Sequence, residues 1–227
     1  MRAMRQIPLA IGRAPVKTFA SFVPGVNAAA LAQLSTLRPA SPPVYLWGAQ
    51  GSGKSHLLHA LAHARQQAGE RVGWFDAVSV LPWTFDDGWS LLLLDDCQAL
   101  DGARQEAAFA LFIEATAHAT GVVAAGRVPP VDLPLRDDLR TRLGWGLVFA
   151  LLALAEADAR SALRREADAR GIFLSDDVLD YLLTRFARDL KHLMALLDRL
   201  DDFALSTQRA VTVPLLKLML AEQGAAA

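Results

Sequence analysis

Gly48-Ala49-Gln50-Gly51-Ser52-Gly53-Lys54-Ser55 follows the apolar run Val44 to Trp47 and precedes Leu57, Leu58, Leu61 and Ala62, which recur at helical spacing up to Gly69. A strand, a glycine-rich turn and a helix in that order, with G-x-x-x-x-G-K-[ST] matched in full, make a phosphate-binding loop. Each residue type in it has a chemical reason. The glycines let backbone N–H groups converge on phosphate oxygens, and the helix N-terminus adds positive potential. Lys54 reaches the β and γ phosphates, and Ser55 can ligate Mg²⁺. The whole stretch from Gly48 to Ser55 is therefore the candidate nucleotide site.

Working outward, Arg71 to Asp76, Leu91 to Leu94, Val122 to Ala125 and Leu147 to Leu151 read as further strands. Helices are expected at Val26 to Leu37 and around Gln105 to Ala119. Alternating strands and helices imply an α/β fold, with a parallel sheet covered on both faces from Val44 to about Ala153. From Glu156 the pattern turns helical throughout: Glu156 to Arg170, Ser175 to Phe186, about Asp189 to Leu205, and Pro214 to Glu222. Gly171 fits a helix C-terminus, Ser175 an N-cap and Pro214 a first turn. The expected organisation is a flexible tail at 1–17, a P-loop nucleoside-triphosphate-binding core at 18–155 and a small all-helical lid subdomain at 156–227.

Leu91-Leu92-Leu93-Leu94-Asp95-Asp96 has the form of an apolar strand that delivers acids beside the phosphates. Asp95 would hold Mg²⁺ directly or through water, and Asp96 would stand where a general base polarises water. His56, His59 and His63 share the face of the P-loop helix, but without a matching carboxylate or cysteine they read as packing residues. Trp74, Trp83 and Trp89 read as core or loop anchors, and Arg160, Arg164 and Arg165 as a solvated face.

Composition narrows the classes. At 227 residues with 53% hydrophobic and 21% charged residues, the chain supports a sizeable core and excludes a mainly disordered protein. Its single cysteine, Cys97, can form no internal disulfide, which fits a reducing, cytoplasmic setting. Leu143 to Ala155 is apolar for 13 residues, too short to span a bilayer, so no membrane partner is expected. The start has no signal-peptide core, and Pro8 and Pro15 interrupt a transit-type helix. Residues 1–69 carry seven basic residues and no acid, yet the net charge is −1, which does not suggest bulk-charge binding to nucleic acid.

The sequence resembles the DnaA-like branch of the AAA+ family from about Thr18 to Leu220. The resemblance rests on Thr18-Phe19-Ala20-Ser21-Phe22-Val23-Pro24-Gly25-Val26-Asn27, on Asp95-Asp96, and on Arg140-Thr141-Arg142-Leu143-Gly144-Trp145-Gly146-Leu147. It implies that Arg142 is an arginine finger and that ADP or ATP is the bound nucleotide. Gln6-Ile7-Pro8-Leu9 is similar to the motif with which regulatory members of the branch dock on the β sliding clamp of DNA polymerase III. The implied function is negative regulation of re-initiation: with the clamp, the chain would promote hydrolysis of ATP bound to the replication initiator DnaA, meeting DNA mainly through the clamp. A homo-oligomer is left open.

Two departures bear on the chain's own turnover. Ala125 stands where the branch usually has a polar sensor residue, with Arg127 after the glycine, and Lys191 replaces the arginine usual in the lid, losing the planar fork. Arg127 and Lys191 also fit ordinary solvated charges. Weak intrinsic ATPase activity is expected. The alternative is a self-sufficient ATPase such as a helicase-loader or clamp-loader relative. A DNA-reading initiator would need a further helical domain beyond residue 220, so that reading is not expected.

Overall fold

The computed structural model describes residues 16–186 and 190–224. These form two compact units, Val16–Ala153 and the residues from Leu154 onward. The first contains a five-stranded parallel sheet with strand order β2-β3-β4-β1-β5. In chain order its elements are α1 (Ala28–Ser35), β1 (Val44–Trp47), α2 (Lys54–Gln67), β2 (Arg71–Phe75), β3 (Trp89–Leu94), α3 (Gly102–Ala117), β4 (Gly121–Gly126), α4 (Asp137–Leu143) and β5 (Leu147–Ala150).

Side-chain alternation in the strands builds two cores. Leu92 and Leu94 of β3, Val122 and Ala124 of β4 and Tyr45 of β1 face a layer shared with Leu111 and Phe112 of α3 and Leu139 and Leu143 of α4. Leu91, Leu93, Val123, Ala125, Val44 and Leu46 face the other layer, with Leu34 of α1 and Leu57, Leu58 and Leu61 of α2. A strand buried on both faces must be apolar at every position, which is why Leu91 to Leu94 runs without a polar residue.

The crossover from β2 to β3 has no helix. Residues 76–88 instead run as an irregular segment whose aromatics cover the α3 face: Phe75 lies 4.9 Å from Trp83 and 5.6 Å from Trp89, and Phe85 lies 5.7 Å from Trp89, centroid to centroid. Asp76 Oδ1 fixes its start by accepting from the N–H groups of Val78 and Ser79 at 3.0 and 2.9 Å. A turn of this kind competes with helix formation.

Cys97 follows β3 and is fully buried. Burial pushes its thiol up to about 12. Native protein at pH 8 should therefore take up almost no thiol reagent, and unfolded protein one equivalent. Rapid labelling of the native chain would contradict this burial.

The second unit comprises α5 (Glu156–Ala169), α6 (Asp176–Arg185), α7 (Leu190–Thr207) and α8 (Val213–Gly224). Leu163 of α5, Val178 and Leu182 of α6, Leu193, Leu197 and Leu200 of α7, and Leu215 and Leu216 of α8 close one core. Gly171 ends α5 at φ +71°, with Ile172 N–H donating to Ala167 O at 2.8 Å. Ser175 precedes α6 as expected, but its side chain makes no capping bond; Asp176 and Asp177 supply negative charge to that helix end instead. Arg160 and Arg164 are not a freely solvated face. Arg160 pairs with Asp180, and Arg164 pairs with Asp176 at 2.6 Å, tying α5 to α6. Among the described residues no helix is long and apolar enough to cross a membrane.

Candidate functional site

The loop between β1 and α2 is held from behind. Gly48 N–H donates to Gly126 O at 3.3 Å, and a Cβ on Gly48 would lie 2.2 Å from Leu151 O. Gly53, at φ +99°, turns the chain into α2, and a Cβ there would lie 2.7 Å from the Phe22 ring. Ala49, Gln50 and Gly51 form the exposed crest, Ser52 is buried, and Ser55 sits half-buried in the first turn of α2.

Lys54 is buried, and its Nζ donates to Gly48 O at 2.7 Å and Ala49 O at 2.8 Å. The ammonium is thus held against the inside of the loop. Burial lowers its pKa below the usual lysine value, the charges of Asp95 and Asp96 oppose that shift, and Arg127 adds to it. Lys54, Asp95, Asp96 and Arg127 therefore share one electrostatic environment.

Asp95 directly follows β3 and is buried, its N–H donating to Phe75 O at 2.9 Å and its Oδ1 accepting from Asp96 N–H at 2.9 Å. Asp96 is exposed and adopts φ +48°, uncommon for a residue with a side chain. Gln98 was missed by motif reading. It donates from Nε2 to Asp96 Oδ1 at 3.1 Å and accepts at Oε1 from Arg127 N–H at 2.9 Å, so it bridges the acidic turn to the end of β4. Ala125 of β4 is fully buried in the α2-side core and offers no polar group.

The leading segment closes over α2. Thr18 and Ser21 bond reciprocally, each side-chain oxygen accepting from the other's N–H, and His56 Nε2 lies 3.0 Å from Thr18 O. Asn27, buried, joins this segment to the chain after β5: its Nδ2 donates to Leu152 O and its Oδ1 accepts from Leu152 N–H, both at 2.9 Å. Sequence reading gave Asn27 no individual role. His59 stacks on Trp74 at 4.3 Å, and burial lowers the pKa of both His56 and His59. Among the described residues no group of three or more His, Cys, Asp or Glu could hold a metal ion. Metal ligation would thus draw on Ser55 and Asp95 together with a nucleotide's own phosphates.

Arg142 lies in the last turn of α4, a short helix that sequence patterning did not predict. Its neighbours on that segment are engaged. Arg136 pairs with Glu106 at 3.2 Å and Asp138 at 2.8 Å, and Arg140 pairs with Asp137. Arg142 has no acidic partner among the described residues, and its guanidinium lies over the ring of Trp145. Lys191 lies in the first turn of α7, but its side chain, Arg188 and Asp189 are outside the described residues. So are Gln6, Ile7, Pro8 and Leu9.

Residues 156–220 match the family model described as the lid domain of Hda. Domain III of the replication initiation protein DnaA from Thermotoga maritima superposes with a TM-score of 0.78, covering 93% of this chain and 98% of that one at 23% identity. AMPPCP-bound DnaA from Aquifex aeolicus gives a TM-score of 0.68, covering 82% of this chain and 65% of that one at 21% identity. The RuvB Holliday junction branch migration motor of Thermotoga maritima gives 0.60, covering 79% of this chain and 61% of that one at 16% identity. At such identities the likeness to solved structures shows the fold, which is that of AAA+ proteins. Residues 156–220 are thus similar to the lid domain of Hda, and the chain shares the AAA+ fold of DnaA domain III.

Proposed function

We propose that the chain is an adenine-nucleotide-binding regulator of replication initiation that, tethered to the β sliding clamp of DNA polymerase III, offers Arg142 to ATP bound on DnaA and promotes its hydrolysis. The observation that carries this reading is Arg142 at the end of α4, with no acidic partner among the described residues, while Arg136 and Arg140 are neutralised by their own chain. A free guanidinium can stabilise charge developing on a transferred phosphoryl group. The Hda lid and the DnaA-type core support the partner assignment.

The P-loop motif suits ADP or ATP, a reading supported by the AMPPCP bound to the structurally similar DnaA of Aquifex aeolicus. Gly48 to Ser55 would cradle the phosphates, Ser55 and Asp95 would hold Mg²⁺, and Lys191 is a further candidate for nucleotide contact. Held there, Mg²⁺ would supply positive charge to offset that of the phosphates. Asp96 is tied to Gln98 and the β4 end is apolar at Ala125, which supports slow turnover by the chain alone. The paired acids near Lys54 favour a second reading, a self-sufficient ATPase.

Single-turnover hydrolysis of labelled ATP preloaded on DnaA, with clamp-loaded DNA, separates the two. Acceleration that needs both this protein and the clamp supports regulation. Turnover of several per second by this protein alone, with no effect on DnaA, supports the ATPase. Removing residues 1–12, or changing Gln6 and Leu9 to alanine, should abolish clamp binding while nucleotide affinity stays the same. Unchanged clamp affinity would refute the docking role of Gln6 to Leu9.

A further inference from the structure

The Arg142 side chain leans on an exposed aromatic ring where its neighbours lean on carboxylates. Its Cζ lies 5.2 Å from the centroid of the Trp145 ring, and Trp145 is 65% exposed. The backbone beneath that ring is fixed. Trp145 N–H donates to Arg142 O and Gly144 N–H to Arg140 O, each at 3.2 Å, so the turn closes directly on α4. A Cβ on Gly146 would lie 1.9 Å from Pro43 O, and Leu147 N–H donates to that same carbonyl at 2.8 Å. A Cβ on Gly144 would come within 3.3 Å of Pro130 Cβ. The chain on either side of Trp145 is thus pressed against the domain, and the indole is left facing outward.

We infer that Trp145 is a positioning residue whose indole face holds the Arg142 guanidinium ready for a phosphate carried by a partner; this rests on the finger reading of Arg142. An aromatic face attracts the planar, weakly hydrated guanidinium without consuming its N–H donors. A carboxylate would occupy the same N–H groups that a phosphate oxygen needs. Arg136 and Arg140 show that alternative in the same segment. Stacking also restricts the rotamers of a long side chain before the partner arrives, so less freedom is lost when the phosphate is engaged. A contact of this strength corresponds to a change of about 3- to 30-fold in rate.

The test uses the full chain with Trp145→Leu, which keeps bulk but has no π face, and Trp145→Phe, which keeps a smaller one. Trp145→Leu should slow the maximal single-turnover hydrolysis of DnaA-bound ATP about 3- to 30-fold, at unchanged half-saturating concentration, and Trp145→Phe should recover most of the rate. Adding Trp145→Leu to Arg142→Ala should cause no further loss. In the protein alone, the Arg142 Nε–H proton should resonate upfield under the ring current and move downfield in Trp145→Leu. An unmoved resonance, a wild-type maximal rate in Trp145→Leu, or a change in half-saturation alone overturns the positioning role. Wild-type hydrolysis by Arg142→Ala would instead overturn the finger reading, and the resonance would still decide whether Trp145 holds the side chain.

Discussion

Arg142→Ala should lower the hydrolysis of DnaA-bound ATP by about 10³ to 10⁵, or roughly 4 to 7 kcal/mol of barrier. Its own nucleotide binding and clamp binding should stay at wild-type levels. The expectation is sharp because the same segment supplies two internal controls. Arg136 is committed to Glu106 and Asp138, and Arg140 to Asp137. Exposed pairs of that kind contribute only about 0 to 1 kcal/mol, so alanine at either position should cause small losses of stability and less than tenfold change in rate. If Arg142→Ala hydrolyses DnaA-bound ATP as fast as wild type, the finger is elsewhere. A large loss in Arg140→Ala or Arg136→Ala would then mean that an ion pair opens when the partner binds.

Why the core was readable from sequence follows from where its information sits. The β1, P-loop and α2 unit is encoded within about 25 consecutive residues by glycine spacing and helical periodicity, and no distant contact is needed to recognise it. β3 and β4 are similarly self-evident, because strands buried on both faces allow only apolar side chains. Helix α4 was hidden because its buried residues are only Leu139 and Leu143, one helical turn apart, which is too short a run to register as a period. Segment 76–88 gave no helical pattern, and its aromatics do the covering that a helix would do.

The site's supporting residues were hidden for a different reason. Asn27 meets Leu152 across 125 positions of sequence, and Gln98 reaches Arg127 across 29. Neither spacing carries a signal, because a side-chain amide bonding to a distant backbone has no required residue type at its neighbours. The cation–π contact of Arg142 was within reach, since Trp145 follows three residues later, but the motif drew attention to the arginine alone.

Lys54→Ala should weaken ADP and ATP binding about 10- to 100-fold, the loss expected when a charge-assisted contact to phosphate is removed. The apo fold should respond much less. The ammonium's burial is unfavourable by itself, while its bonds to Gly48 O and Ala49 O offset that cost, so removing both together changes stability little. Nucleotide-dependent stabilisation separates the two effects. At a nucleotide concentration about 100 times the wild-type Kd, binding adds about 2.7 kcal/mol to wild type, and a variant weakened 100-fold would retain only about 0.4 kcal/mol. The direction of the Lys54 shift adds a pH signature. Because the folded pKa lies below the ordinary lysine value, the unfolded chain binds more protons in the window just below that value, and this group's contribution to apo stability rises with pH there. Nucleotide affinity should fall over the same window as the cation is lost. Both trends should vanish in Lys54→Met, which keeps the aliphatic stem. Wild-type affinity in Lys54→Ala by calorimetry, with undiminished thermal stabilisation by ADP, would show that the phosphates are held by the loop's backbone amides and not by this lysine.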